Sequence, residues 1–259
     1  MSSTTQVAIP NVVLQSSFSM PVIGFGTAAF ETDDGDVHKQ AVIEAIKLGY
    51  RHFDTASIYG SEQALGEAIA EALKLGLISS RDELFITSKL WLSDNHPDLV
   101  LPALRKSLQN LGLEYLDLYL IHWPMSAKPG LFKASYDDEN DLVPFDLKGV
   151  WTSLEQCHKL GLAKSIGVSN FSINKLEHLL SFATIPPAVN QVSLRWLYEQ
   201  GVTFAVKSYN KERMKENLEI FDFSLTNDDY QKINQIKQTR KSVNNPTTFV
   251  VADLFDGEN

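Results

Sequence analysis

The chain has 259 residues, of which 44% are hydrophobic and 21% charged, and these values are close to the averages for soluble globular proteins. Its net charge of −9 argues against a nucleic-acid partner, because a phosphate backbone requires a basic surface. No apolar run reaches the roughly 18–20 residues of a membrane span, the N-terminus is polar, and the single Cys157 excludes an internal disulfide. We therefore expect a soluble cytoplasmic protein that acts without a membrane.

In chain order, an N-terminal β-hairpin is expected first, and short apolar runs then alternate with amphipathic stretches. Runs of this kind are typical of strands buried on both faces. The predicted strands are Met20–Gly26, Tyr50–Asp54, Leu84–Lys89, Leu116–His122, Ala163–Ser169, Ala188–Val192 and Thr203–Lys207. The periodicity between them predicts helices. Residues 137–145 show neither the helical nor the strand period of apolar residues, and they are predicted to form a long surface loop.

This alternation predicts parallel βαβ units, arranged either as an open doubly wound sheet or as a closed barrel. The open dinucleotide-binding sheet is disfavoured, because no G-x-G-x-x-G follows the first strand. Polar residues at the carboxyl ends of the strands favour the barrel, since a barrel gathers these ends around one mouth. We predict an α/β protein with a TIM-type (β/α) barrel. Residues 1–259 would form a single domain, with a core at 6–240 and a tail at 241–259.

Four ionisable side chains lie at or just beyond the predicted strand ends: Asp54, Tyr59, Lys89 and His122. A lysine ammonium near a tyrosine would stabilise tyrosinate and lower the pKa of the phenol, and a carboxylate would hold that lysine in place. A neutral histidine could bind and orient a carbonyl group. Together these groups could protonate a carbonyl oxygen, and the reducing hydride would have to come from a cofactor.

Several segments resemble the aldo-keto reductase family over about residues 8 to 240. They include His52–Ala56 with Tyr59-Gly60, Leu113–Pro124, Gly167–Phe171, Val189–Gln191, and Val206–Ser208 with Arg213 and Asn217. Two further segments, Gly60–Ala68 and Arg195–Gly201, are similar to the plant branch that contains chalcone reductases, codeinone reductases and methylecgonone reductases.

The resemblance implies a role for each matching position. Tyr59 would be the general acid, Lys89 and Asp54 would tune it, and His122 would orient the carbonyl. The nicotinamide would be held by Ser169, Asn170 and Gln191, the 2′-phosphate by Lys207, Ser208 and Arg213, and the adenine by Asn217. NADPH (NADP⁺) is therefore the expected cofactor, since cationic residues suit a 2′-phosphate. Trp91 and Trp123 would line the substrate pocket beside His122. A monomer with no metal site, reducing a ketone or aldehyde of a specialised metabolite to an alcohol, is implied.

The resemblance also exposes a gap, because a barrel of this family has eight strands and only seven are predicted. Gln191 and Lys207 lie only 16 positions apart (207 − 191), whereas a strand–helix unit takes roughly 30 residues. We hypothesise an internal deletion after Val192, through a splice isoform or a gene-model error. The strand at 203–207 would then either pair directly with that at 188–192 or leave the barrel open.

Two other functions stay open at this point. The chain could be a truncated, non-catalytic barrel with weak or no cofactor binding. A hydrolytic barrel would need two facing carboxylates, and only Asp54 is available for that purpose. Measuring the affinity for NADPH separates the reductase from the non-catalytic barrel.

Overall fold

A computed structural model describes residues 9–14, 16–28, 35–134, 136, 138–191, 204–206 and 211–218. Its first two strands, β1 (Asn11–Val13) and β2 (Ser19–Pro21), pair antiparallel and confirm the predicted N-terminal hairpin. The prediction of one continuous strand over Met20–Gly26 was wrong. Pro21 has no backbone N–H to extend a ladder, so the hairpin strand ends there and a separate strand, β3 (Ile23–Gly26), begins two residues later.

Seven parallel strands form the main sheet, and each corresponds to one predicted run. After β3 they are β4 (His52–Asp54), β5 (Phe85–Leu90), β6 (Leu116–Ile121), β9 (Ala163–Ser169), β10 (Asn190–Gln191) and β11 (Phe204–Val206). Their hydrogen-bonded order is β10-β9-β6-β5-β4-β3-β11. β11 pairs with β3, and no ladder joins β10 to β11 in the described part of the chain.

Within the described ranges, six helices connect or follow these strands: α1 (Gly35–Leu48), α2 (Glu62–Lys74), α3 (Val100–Leu111), α4 (Leu147–Lys159), α5 (Ile173–Leu180) and α6 (Lys211–Leu218). Their apolar stripes pack on the outward face of the sheet, where Ile86, Tyr119 and Ile121 are fully buried. α2 crosses α3 so closely that a Cβ at Gly66 would overlap the backbone of Leu111. None of the described helices is both long and apolar enough to cross a membrane.

Side chains alternate between the two faces of a strand, so the sheet has an inner face opposite the one that the helices cover. The residues of the site lie on this inner face. Phe85, Leu118 and Leu120 lie on this inner face and pack against Leu14 and Met20 of the hairpin region. The hairpin therefore covers the amino ends of the strands. Lys89 lies on the same face of β5 as Phe85 but four residues further on, at the carboxyl end.

A short antiparallel pair interrupts the long segment after β6. It consists of β7 (Ser126–Ala127) and β8 (Leu142–Val143), and it corrects the prediction of an irregular loop through residue 145. Two-residue strands give no periodic signal, so their pairing could not be predicted from the sequence. Residues 123–143 are called the 123–143 loop below.

Candidate active site

The carboxyl ends of the parallel strands lie along one edge of the sheet and bring the predicted ionisable residues together. Asp54 ends β4, Lys89 is next to last in β5, and His122 directly follows β6. Tyr59 ends a 3₁₀ turn that follows β4, and the turn closes at Gly60 with a φ of 68°, a left-handed conformation that favours glycine. Three segments distant in sequence thus place these four side chains close together.

Lys89 is the buried centre of this group, with only 2% of its surface exposed. Its Nζ donates hydrogen bonds to Asp54 Oδ1 at 2.6 Å and to the backbone oxygen of Thr55 at 3.0 Å. Burial lowers the pKa of Lys89, but the Asp54 carboxylate and Tyr59 outweigh it, so that the pKa lies above its ordinary value. Lys89 therefore remains a cation beside Tyr59, with its Nζ 5.0 Å from the centre of the phenol ring.

The pKa of Tyr59 is raised, mainly because burial destabilises tyrosinate, while the Lys89 charge acts in the opposite direction. The expectation that Lys89 would lower this pKa is thus correct for the pairwise effect and wrong for the net direction. A raised pKa keeps the phenol protonated at neutral pH, which is the state that a proton donor requires. Its hydroxyl lies 3.3 Å from His122 Nε2.

The pKa of His122 lies well below its ordinary value, first because of burial and second because of the Lys89 charge. The ring is therefore neutral at physiological pH. Its Nδ1 atom is buried and has no hydrogen-bond partner among the described residues. An orphaned buried N–H is rarer than an orphaned acceptor, so we assign the single proton to Nε2, which faces Tyr59.

Two hydrogen-bond donors therefore point to one place, the Tyr59 hydroxyl and the His122 Nε2–H. A carbonyl oxygen placed between them can accept from both, since it has two lone pairs. Protonation of that oxygen by Tyr59 leaves a phenolate next to the Lys89 cation, which stabilises it. The arrangement is suited to reduction of a carbonyl group, and the Asp54 carboxylate is engaged by Lys89 rather than facing a second carboxylate.

Both predicted pocket tryptophans contact His122, but their surroundings differ. Trp91 is only 7% exposed; its ring centre lies 5.0 Å from that of His122, and its Nε1 donates to the backbone oxygen of Lys133 at 2.8 Å. On its other side it packs against the buried Tyr136, at 6.4 Å. Trp123 is only partly buried and lies stacked on His122 with ring centres 6.4 Å apart.

The predicted nicotinamide residues follow the next strands of the sheet. Ser169 ends β9, and Asn170 adopts a left-handed conformation with a φ of 63°. The Asn170 amide donates to the backbone oxygen of His122 at 2.9 Å and to Ser169 Oγ at 3.0 Å, which joins this pair to the catalytic group. Gln191 ends β10 and pairs in register with Ser169.

The structure describes two of the four residues that are predicted to bind the 2′-phosphate and the adenine. Arg213 and Asn217 belong to α6, which follows β11. Lys207 and Ser208 lie outside the described residues. In the described ranges, no group of three or more metal-ligating side chains is assembled.

Asn95 and His96 contact the site region but are absent from the sequence prediction. The Asn95 amide donates to the backbone oxygens of Trp123 and Met125, and His96 Nε2 contacts the backbone oxygen of Ala127. The available signal was an Asn-His pair shortly after the strand that carries Lys89. It was weak, because the partners are backbone atoms about thirty residues away.

The fold and the site define a class of protein: a parallel α/β protein with a buried acid–base group able to protonate a carbonyl oxygen at the carboxyl edge of its sheet. Residues 22–194 match the sequence model of the Aldo/keto reductase family. The chain belongs to this family, whose known members adopt a (β/α)₈ barrel.

Three relatives illustrate the similarity. The chain is 50% identical to a Glycine max NAD(P)H-dependent 6'-deoxychalcone synthase, in an alignment over 314 residues that covers 97% of this chain and 98% of the relative. It is 45% identical to a Papaver somniferum NADPH-dependent codeinone reductase, covering 90% and 91%. A Bombyx mori aldo-keto reductase solved in complex with NADP superposes with a TM-score of 0.80 at 32% identity, covering 88% of this chain and 93% of the other.

Proposed function

We propose that this protein uses NADPH to reduce a ketone or aldehyde of a specialised metabolite to an alcohol, with Tyr59 as the proton donor. The observation that carries the proposal is the convergence of the Tyr59 hydroxyl and His122 Nε2, 3.3 Å apart, next to the buried Lys89–Asp54 ion pair. The similarity to plant enzymes named as NAD(P)H-dependent supports the cofactor and the substrate class. The comparisons give no support to a non-catalytic barrel.

The residues present fit the nicotinamide end of this cofactor. A carboxamide needs both donors and acceptors, and Ser169 and Asn170 provide a hydroxyl and an amide at the end of the strand next to His122. Gln191 adds a second amide residue at the end of the adjoining strand. We assign the 2′-phosphate to Lys207, Ser208 and Arg213, and the adenine to Asn217.

When bound, NADPH supplies a hydride, with its two electrons, to the carbonyl carbon. The protein groups act on the oxygen. His122 orients the carbonyl through Nε2–H, and Tyr59 transfers its hydroxyl proton to the oxygen as the C=O double bond becomes a C–O single bond. Lys89 stabilises the resulting tyrosinate, and Asp54 holds Lys89 in position. Tyr59 then regains a proton from water.

We further propose that the chain lacks an internal segment after Val192. The alignment with the soybean relative runs over 314 residues, whereas 97% of 259 residues is about 251, so about 63 positions of the alignment (314 − 251) have no counterpart in this chain. Both chains are nonetheless covered almost from end to end, which favours an internal gap. We infer that the missing residues include one strand–helix unit of roughly 30 residues together with a long loop, and that the barrel is seven-stranded or open between β10 and β11.

The proposed function is tested by titrating purified protein with NADPH, followed by fluorescence, and then measuring NADPH consumption with a carbonyl substrate. We expect saturable binding and turnover, and loss of turnover but not of binding in Tyr59→Phe. A folded protein that does not bind NADPH would contradict the proposal. Size-exclusion chromatography in the same preparation tests our further proposal that the enzyme is a monomer.

A further inference from the structure

The backbone that follows His122 cannot be held by the regular ladder of the sheet, because β6 ends at Ile121. Buried carbonyl groups in such a segment need partners from elsewhere in the fold. Here the partners come from two consecutive residues, Asn95 and His96, in the turn after β5. This turn directly follows Trp91, so it belongs to the segment that carries Lys89.

Asn95 is 1% exposed and makes three hydrogen bonds to the start of the 123–143 loop. Its Nδ2 donates to the backbone oxygens of Trp123 at 3.2 Å and Met125 at 2.7 Å, and its own backbone oxygen accepts from Ser126 Oγ at 2.7 Å. His96 Nε2 lies 2.7 Å from the backbone oxygen of Ala127 and must carry the proton, since a carbonyl oxygen only accepts. Asn95 and His96 are called the loop clamp below.

The two hydrogen bonds that the side chain at position 95 donates in the loop clamp require an asparagine amide. Only the amide nitrogen can donate two hydrogen bonds, so the two carbonyl partners fix the orientation of the side chain. An aspartate of the same shape would place a carboxylate oxygen against two carbonyl oxygens and repel them. The clamp is therefore a specific contact rather than simple filling of space.

The clamp acts on the substrate pocket through Trp123. The Trp123 backbone oxygen accepts from Asn95 and also from the backbone nitrogen of Met125 at 2.8 Å, and its ring is stacked on His122. Because Asn95 and the Met125 backbone both donate to the Trp123 backbone oxygen, the main chain that carries the indole is held in place. A bulky substrate bound at Tyr59 and His122 would contact this indole, whereas a small aldehyde would reach both residues without it.

We propose that Asn95 is a positioning residue that sets the selectivity for bulky carbonyl substrates by fixing the Trp123 wall. The proposal rests on the proposed function, because it concerns the same pocket. Two hydrogen bonds worth roughly a factor of three to ten each limit the effect to about 100-fold, and only part of this reaches substrate binding because both bonds also exist without substrate. We therefore expect Asn95→Ala to raise the KM for a bicyclic ketone such as 1-decalone about tenfold. The KM for benzaldehyde should change less than about threefold on the same reasoning.

The test compares wild type, Asn95→Ala and Asn95→Asp with both substrates and with NADPH binding. Asn110→Ala is the matched control: it also removes a side-chain amide hydrogen bond, which is half-buried and made to Glu62 Oε2, but on α3 and away from the loop. Ser126→Ala removes one bond of the clamp from the other side and replaces the Asn95 variants if these do not fold. Equal changes in KM for both substrates, or no change for either, would overturn the proposal.

Amide hydrogen exchange tests the loop clamp without measuring turnover, so its result does not depend on whether the proposed function is correct. The amides of Met125 and Lys128 are hydrogen-bonded within the loop, to Trp123 and Asp141 respectively. We expect Asn95→Asp to accelerate exchange at both amides and Asn110→Ala to leave them unchanged. Wild type without turnover would refute the proposed function, whereas unchanged exchange in Asn95→Asp would refute the clamp itself.

Discussion

At the scale of single residues, the site depends on one buried ion pair. Lys89 and Asp54 are exposed by only 2% and 8% at their side chains, so each neutralises a charge that the interior would otherwise not tolerate. The ammonium group stabilises the fold and, in the proposed mechanism, also favours the phenolate form of Tyr59. These two contributions can be separated by mutation.

Lys89→Met should destabilise the protein by about 3–5 kcal/mol, since it leaves the Asp54 carboxylate buried without its cation. Adding Asp54→Asn should restore much of that stability, because the remaining buried group is neutral. Urea unfolding of the single and double variants measures both effects, and NADPH turnover should be lost in both. Additive destabilisation in the double variant would contradict the coupling.

The neutral state of His122 has a consequence for stability below pH 7. Burial lowers the pKa of both His122 and His52 in the folded protein, so the folded state binds fewer protons than the unfolded state once the pH falls below about 6.5. The unfolding free energy should therefore decrease from pH 6.5 towards pH 5, by at most about 1.4 kcal/mol per pH unit for each histidine.

His122→Gln should reduce this pH dependence, because it removes one of the two histidines whose pKa is lowered by burial. His178→Gln is the control, since His178 is exposed on α5. Denaturant unfolding at several pH values between 5 and 7 measures the slopes. The same slope in His122→Gln as in wild type would show that His122 is already protonated in the folded protein.

The residue scale also shows what the sequence could predict. Asp54, Lys89 and His122 were found because polar side chains end apolar runs, and a parallel sheet brings such ends together. The net pKa direction of Tyr59 could not be found in this way, because it depends on how deeply the ring is buried. Asn95 was missed because its partners are backbone atoms 28 and 30 residues away.

At the scale of elements, the close packing of α2 against α3 requires a glycine at position 66. A Cβ at Gly66 in α2 would meet the backbone of Leu111 in α3, and a backbone atom cannot move aside as a flexible side chain can. Elements were predicted well where burial on both faces gave nearly continuous apolar runs, as in β6. The prediction failed at Pro21, because proline has no backbone N–H to donate to the ladder. It also failed at β8, because the strand that β8 pairs with is distant in sequence.

Gly66→Ala should lower the unfolding free energy by about 1–3 kcal/mol through this overlap. Gly35→Ala, at the start of α1, meets no atom within 4 Å and should change the stability by less than about 0.5 kcal/mol. Thermal unfolding of the two variants provides the comparison. Equal stability of both variants would show that α2 can shift away from α3 without loss.

At the scale of the whole molecule, the outer strands β10 and β11 are the critical feature. In the described part of the chain, each pairs with one neighbour only, β9 and β3 respectively. An unpaired strand edge is a liability that a closed barrel removes. The proposed catalytic residues lie away from these edge strands, on β4, β5 and the segments that follow β4 and β6, so the proposed loss of a segment after Val192 would leave them in place.

Insertion after Val192 of the segment of the soybean relative that has no counterpart in this chain should close the sheet. We expect the chimera to have a melting temperature higher by at least about 5 °C, because a few kcal/mol of added stability shifts a protein of this size by several degrees. Differential scanning calorimetry measures the change. An unchanged or lower melting temperature would contradict our proposal that a strand–helix unit is missing.

The central claim is that the residues at the carboxyl edge of the sheet support hydride transfer to a carbonyl carbon. The most direct test uses NADPH that carries deuterium at both C4 positions, with benzaldehyde as substrate and mass spectrometry of the product. We predict one deuterium on the carbinol carbon of the alcohol with wild type, and no alcohol above background with Tyr59→Phe. Alcohol formed equally by both proteins, or no labelled alcohol from folded wild type that binds NADPH, would contradict the account.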